Sequence, residues 1–124
     1  NGNVTCVHCT YDPDTKGGNT PDGRKVRGTI HWVSKDSSFE AQIRLYDRLF
    51  NVEDPGSFDG PLEQCVNPSS LTVLDGCRIE NALADAVPGD KFQFMRKGYY
   101  CVDTDSVPGH MIFNRTVDLN SSWK

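Results

Sequence analysis

Long apolar runs are missing from this sequence. No stretch of the 124 residues approaches the roughly 20 consecutive apolar residues of a membrane-spanning helix. Residues 1–3 also lack the charged-then-apolar pattern that opens a secretory signal peptide. We therefore expect a protein that does not contact a membrane.

Positive charge is scarce. The chain has 13 Lys and Arg residues against 17 Asp and Glu residues, which gives a net charge of −4 and a pI near 5.2. Proteins that coat nucleic acids non-specifically are usually basic, so this balance argues against that class. The cations are clustered nevertheless, and a local basic patch can still bind a polyanion. The two clusters are Arg24, Lys25 and Arg27, and Lys91, Arg96 and Lys97.

The number of cysteines is odd. An odd number of cysteines cannot all pair, and this chain has five: Cys6, Cys9, Cys65, Cys77 and Cys101. The count weakens a disulfide framework and favours a reducing compartment, so we expect a cytoplasmic protein. Cys6 and Cys9 have C-x-x-C spacing, but no second pair lies at a suitable distance, and we predict no metal site.

Catalytic signatures are not visible. The sequence contains no G-x-x-x-x-G-K-[ST], no G-x-G-x-x-G and no H-E-x-x-H. Carboxylate pairs such as Asp103 with Asp105 lie in turn-like segments, where acidic residues are common. We therefore predict no catalytic residue, and we do not expect this chain to be an enzyme by itself.

One stretch, residues 91–103, combines aromatic and basic side chains around Gly98. Phe92 and Phe94 alternate with Lys91 and Gln93, which predicts a hairpin with one buried and one polar face. An aromatic ring can stack on a base, a cation can bind phosphate, and a glutamine amide can read a base edge. The bland alternative is an amphipathic hairpin with solvated charges.

The remaining patterns predict short strands separated by turns. A turn-rich connection over residues 12–23 indicates a boundary between two units, and residues 51–68 read as an exposed excursion with one helical turn at 62–66. Six or so strands without a long helix predict an all-β barrel. From the residues alone, it is either a nucleic-acid-reading barrel or a protein-interaction domain. Besides the hairpin, we predict strands at residues 4–11, 26–34, 42–50, 70–80 and 111–119.

Five sequence blocks, in this order, resemble the C-terminal anticodon-binding region of the glutaminyl-tRNA synthetase family. They are CTYDPDT (9–15), GRKVRGTIHWV (23–33), IRLYDRLF (43–50), FQF (92–94) with RKGY (96–99), and FNRTV (113–117). The resemblance extends over nearly the whole chain. It implies two six-stranded, partly open β-barrels, the proximal one similar to a ribosomal protein. Residues 1–22 would end the distal barrel with a hairpin strand and linker, and residues 23–124 would form the proximal barrel without its N-terminal strand.

The resemblance also implies an activity for a longer parent. The parent would be a class I glutamine-tRNA ligase, a monomer that uses ATP with Mg²⁺ and glutamine in a separate catalytic domain. Its partners would be tRNA-Gln and that catalytic domain. A protein-interaction barrel without an RNA role, or the equivalent part of a glutamyl-tRNA synthetase, is the alternative.

For the site, the family pattern F-Q-F-x-R falls on Gln93 and Arg96, which would read the central anticodon uracil. These positions differ in parity, so a bulge or the turn at Gly98 must rotate the chain for both to reach one base. We also expect Arg44 and Arg48 to pair with Asp47 or neighbouring acids. Candidate phosphate contacts are Arg24, Lys25, Arg27, Lys91 and Lys97.

Overall fold

The computed structural model describes residues 2–15, 20–25, 28 and 30–119. The chain divides into two compact units, with the division between His31 and Trp32. In the described part, no helix has the length and apolar character needed to cross a membrane.

The first unit has little regular structure in its described residues. Its one element is a single 3-10 turn, Pro13–Thr15, where the Asp12 side chain accepts a hydrogen bond from the N–H of Asp14 (3.1 Å). The strand predicted over residues 4–11 is absent, and Val4 is 79% exposed. A strand needs a neighbour to satisfy its backbone groups, and the described residues supply none here.

The second unit is a five-stranded mixed sheet, so the prediction of an all-β fold is confirmed. Its strands pair in the order β2-β1-β5-β4-β3, and β1 runs parallel to β5 while the other neighbours are antiparallel. The sheet is open, because β2 and β3 are edges rather than neighbours. The six-stranded barrel is therefore not seen in the described residues. The strands are β1 (Ser38–Tyr46), β2 (Leu71–Glu80), β3 (Lys91–Phe94), β4 (Gly98–Val102) and β5 (Met111–Val117).

β2 contains a bulge opposite the middle of β1. Cys77 pairs with Ala41 and Leu74 pairs with Ile43, so β2 has two residues between these pairs where β1 has one. Gly76 lies in this segment with φ +67°, a conformation that glycine adopts without a steric penalty. Asp75 and Gly76 therefore form a bulge within β2 and do not end the strand.

The core lies against one face of the sheet. Phe113 of β5 is fully buried, and Ile43 of β1 and Val102 of β4 pack in the same cluster. Burying a side chain of this size stabilises a fold by about 1.5–3 kcal/mol. The 3-10 turn Asn81–Leu83 follows β2, and Leu83 covers part of the cluster.

The exposed segment predicted at residues 51–68 is a loop whose two ends are held together by hydrogen bonds. Phe50 and Val66 form an antiparallel bridge, and the N–H of Asn51 donates to the carbonyl of Cys65 (2.8 Å). Cys65 is buried within the 3-10 turn Leu62–Cys65, which confirms the predicted helical turn. A second 3-10 turn, Pro55–Ser57, is capped by Asp54.

Two further strand predictions differ from the structure, one because no strand is seen and one in its bounds. Residues 28 and 30–34 form no strand, and Trp32 remains 76% exposed; residues 26, 27 and 29 lie outside the described part. Alternating apolar residues form a strand only where a partner covers them, and the described residues supply no such partner here. The strand predicted at 42–50 instead spans Ser38–Tyr46, because the turn before it is shorter than expected and Phe50 pairs in the loop.

Candidate nucleic-acid interface

The predicted hairpin forms from β3 and β4. Its turn consists of residues 95–97, and the N–H of Lys97 donates to the carbonyl of Phe94 (2.9 Å). Gln93 lies directly opposite Tyr99, and Phe92 lies opposite Tyr100. Directly opposed residues of an antiparallel pair share a face, so the hairpin presents two different surfaces.

The aromatic rings expected to alternate with polar residues belong to the core. Phe94 stacks on Tyr100 with ring centroids 4.2 Å apart, and Phe92 meets Phe113 edge to face at 6.4 Å. Burial raises the pKa of the Tyr100 hydroxyl. These rings are therefore not available to stack on a base.

The opposite surface carries Gln93, which is exposed and makes no side-chain hydrogen bond in the part of the chain that the structure describes. Its amide thus keeps a donor and an acceptor for an external partner. Lys91 lies on the same surface and is also exposed.

Arg96 occupies the turn with φ 63°, and among the described residues it alone has a positive φ without being glycine. A side chain in this left-handed region is strained, typically by about 1–3 kcal/mol. Arg96 lies in the turn and not on a strand, so the alternation of side chains along β3 does not apply to it. Both residues lie at one end of the hairpin.

Gly98 lets the hairpin approach β5. Its φ is 135°, and a β-carbon there would overlap the carbonyl oxygen of Val117. The Thr116 hydroxyl adds a hydrogen bond to the carbonyl of Tyr99 (3.1 Å). The backbone around Tyr99 is thus fixed against β5.

The predicted phosphate-binding cations differ in their surroundings. Lys91, Arg96 and Lys97 are exposed and form no ion pair within the described ranges. In the first unit, Lys25 is exposed, while Arg24 forms ion pairs with Asp12 and with Asp22 (Nε to Oδ2, 3.2 Å). Arg27 lies outside the described residues.

Arg44 belongs to a polar cluster, and the prediction that it pairs with Asp47 or neighbouring acids was wrong. Its Nη1 lies 3.0 Å from Oδ2 of Asp103 and 2.9 Å from Oδ2 of Asp105, neither of which is a sequence neighbour. The N–H of Asp105, donating to Asp103 at 2.8 Å, lowers the pKa of the buried Asp103 carboxyl, and Asn114 and Arg44 add to this effect. The hydrogen bond with Asp105 raises the pKa of Arg44. This cluster ties β1 to β5 and to the loop after β4.

Tyr99 is a feature of this surface that sequence reasoning missed. It is 45% exposed, whereas the other three aromatic residues of the hairpin pack in the core. The turn length was the signal that could have found it, because a three-residue turn places Tyr99 opposite Gln93.

Comparisons with known proteins identify the family of this chain. The profile of the family described as "tRNA synthetases class I (E and Q), anti-codon binding domain" matches residues 29–103. Similar curated proteins are the glutamine–tRNA ligases of Pseudomonas putida (53% identical over 98% of this chain) and Rhodopirellula baltica (53% over 98%). That of Colwellia psychrerythraea is 48% identical, also over 98% of this chain.

The chain spans only about a fifth of these relatives, namely 22%, 20% and 22% of their lengths. The family profile nevertheless covers more than half of the chain and includes the whole β3–β4 hairpin. The chain therefore belongs to the family of anticodon-binding domains of the class I tRNA synthetases for glutamate and glutamine.

Proposed function

We propose that this chain is the anticodon-reading part of a glutamine–tRNA ligase and that Gln93 and Arg96 read the central anticodon uracil of tRNA-Gln. The names of the similar proteins support glutamine over glutamate. The observation that carries the site is the hairpin itself. It presents Gln93 and Arg96 at one end, both exposed and both without a side-chain partner in the described ranges.

The chemistry of uracil fits these two side chains. Its pairing edge offers an acceptor, a donor and a second acceptor. The Gln93 amide can accept from N3–H and donate to one neighbouring carbonyl oxygen. The Arg96 guanidinium can donate to the other oxygen or to a phosphate. Cytosine reverses part of this pattern, so the pair would discriminate against it.

Lys91 and Lys97 are the strongest candidates for phosphate contacts, because each is an exposed cation of the same hairpin without a carboxylate partner in the described part. Lys25 is proposed for the same role on its exposure. At Arg24 a phosphate would compete with Asp12 and Asp22, so we propose a weaker contribution. Arg27 is retained as a phosphate contact on its sequence position alone.

The proposal extends to the whole protein. It would be a cytoplasmic monomer that attaches glutamine to tRNA-Gln, with ATP, Mg²⁺ and glutamine bound in a catalytic domain outside residues 1–124. We also propose that residues 1–22 belong to a distal barrel. The proximal sheet would be completed to six strands by a strand outside this chain, and the open edge at β2, with Val73 43% exposed, supports that addition.

The loop of residues 51–67 is proposed to face the catalytic body and to transmit anticodon occupancy. Its length and its acidic residues support this role. Replacing it with a short Gly-Ser loop in the full-length protein should lower aminoacylation while leaving tRNA binding intact. Unchanged aminoacylation would remove the proposed role.

Aminoacylation by the full-length protein tests the site. Gln93→Ala and Arg96→Ala should each lower kcat/KM about 5- to 150-fold on wild-type tRNA, the range of a lost base contact. The loss should shrink on tRNA carrying cytosine at the central position. An equal decrease in kcat/KM on both tRNAs would show that the two residues contact phosphate or support the structure and do not read the base.

Matched controls exist in the same sheet. Gln42 of β1 donates its side-chain amide to Asp75 (2.8 Å), and Arg78 of β2 forms an ion pair with Glu40 (3.8 Å). Gln42→Ala and Arg78→Ala should not change the ratio of kcat/KM on wild-type tRNA to kcat/KM on the cytosine-containing tRNA. A changed ratio in a control would show that the assay reports general damage to the sheet.

A further inference from the structure

The aromatic residues of the β3–β4 hairpin are distributed unequally between its faces. Phe92 and Phe94 pack with Tyr100 and Phe113 on the core side. Tyr99 projects from the other side, is 45% exposed, and makes no ring–ring contact with another aromatic residue in the described part. An exposed ring on a strand surface has an open π-face to offer to a ligand.

The neighbours of Tyr99 are as informative as its exposure. Gln93 lies opposite it on β3, and Val117, 50% exposed, lies opposite it on β5. Side chains opposed in this way have β-carbons about 4.5–5.5 Å apart. A planar base lying on the Tyr99 ring would therefore have one edge beside the Gln93 amide and another beside an apolar side chain.

The backbone of Tyr99 is anchored to β5. The Thr116 hydroxyl donates to its carbonyl (3.1 Å), and Gly98 next to it is packed against the backbone of β5. A backbone held in this way loses little freedom when a base stacks on the ring it carries.

We infer that Tyr99 is the stacking platform for the base whose edge Gln93 reads, a pyrimidine by the proposed function on which this inference rests. The two side chains divide the task. Stacking on a ring is tolerant of base identity, so Tyr99 supplies affinity, while the amide of Gln93 supplies the choice of base.

The test uses the full-length protein with Tyr99→Phe and Tyr99→Leu. Phenylalanine keeps the ring and should keep kcat/KM within about 2-fold. Leucine keeps apolar bulk but removes the π-face, and should lower kcat/KM about 10-fold on wild-type tRNA. Because stacking tolerates any base, the same factor should be lost on tRNA with cytosine at the central position.

A third tRNA with an abasic ribose at the central position makes the test specific. With no base to stack, Tyr99→Leu should behave like the wild-type protein on it. A loss that persists on the abasic tRNA would overturn the inference, because the ring would then act elsewhere or only support the hairpin. The comparison is made within one variant, so a modest loss of stability does not obscure it.

The outcome separates the inference from the proposed function. If Gln93→Ala discriminates between the tRNAs while Tyr99→Leu has no effect, the platform is refuted and edge reading stands. If Tyr99→Leu lowers kcat/KM only on tRNAs that carry a central base, while Gln93→Ala lowers kcat/KM equally on all three tRNAs, the stacking role of Tyr99 stands and edge reading by Gln93 is refuted.

Discussion

The backbone of Gly98 lies so close to the carbonyl oxygen of Val117 that a β-carbon at position 98 would overlap it. The hairpin that carries Gln93 and Tyr99 therefore meets β5 at a point that admits no side chain. Gly98→Ala should destabilise the chain by about 3 kcal/mol, because it combines overpacking against backbone with an unfavourable φ of 135°. Urea unfolding followed by circular dichroism measures this change.

Gly89 is the matched control for that variant. Its φ is 95°, but a β-carbon there would meet no atom within 4 Å. Gly89→Ala should therefore show only the conformational penalty, about 1 kcal/mol. If the two alanine variants were equally stable, the contact with Val117 would not constrain the hairpin.

The Asp103 carboxyl should make the stability of the sheet sensitive to acid. Its pKa in the folded chain is lowered, chiefly by the N–H of Asp105, and then by Asn114 and Arg44. A lowered pKa gives stability that is fully present above the unfolded value of 3.8 and is lost as pH falls through the folded value. We expect unfolding free energies measured below pH 4 to decline more steeply in the wild type than in Asp103→Asn.

At neutral pH, the same Asp103→Asn variant should be less stable by about 1.5–3 kcal/mol, the range for hydrogen bonds to charged groups. Asp54 serves as a comparison, because its pKa is also lowered, first by the Ser57 hydroxyl, yet it is exposed. Asp54→Asn should leave the neutral-pH stability nearly unchanged. Equal stability of the wild type and Asp103→Asn would show that the cluster around Arg44 does not hold β1 to β5.

The hairpin was predictable because its signals are local. Phe92 and Phe94 alternate with polar residues, and Gly98 directly follows the turn, so the strand pair and the face that is buried could be predicted from neighbouring residues alone. The pattern around Trp32 has the same alternation, yet no strand forms at residues 30–34. Alternation shows which face of a strand can be buried, but only the rest of the fold decides whether something covers it.

The candidate site was predictable only in part. Gln93 and Arg96 came from the resemblance to a family, and the structure places Gln93 on β3 and Arg96 in the turn that follows it. The pairing of Arg44 with Asp103 joins residues 59 positions apart, and no local pattern marks such a contact. Sequence reasoning therefore located the hairpin but not the cluster that supports the strand beside it.

Arg96 is expected to lower the stability of the folded chain while contributing to tRNA recognition. Its φ of 63° is strained for arginine but not for glycine, so Arg96→Gly should stabilise the folded chain by about 0.5–1 kcal/mol. The same change removes the guanidinium and should lower kcat/KM on wild-type tRNA. Thermal unfolding and aminoacylation by the full-length protein measure the two effects separately.

Arg96→Asn and Arg96→Ala complete that comparison. Asparagine tolerates the left-handed region better than arginine and should raise the unfolding temperature slightly, whereas alanine should not gain stability. All three variants should lose activity to a similar extent. A drop in stability on Arg96→Gly would mean that the arginine side chain has a structural contact and that strain is not its main effect.

The salt dependence of tRNA binding should distinguish cations that meet phosphate from those already neutralised. Each phosphate contact to a single strand contributes about −0.7 to the slope of log K against log salt concentration. Lys91→Gln and Lys97→Gln should therefore each make the slope shallower by about 0.7 in the full-length protein. Arg24→Gln should change it less, because Asp12 and Asp22 already hold that guanidinium. Weaker binding with an unchanged slope in the lysine variants would show that these side chains support the hairpin without contacting phosphate.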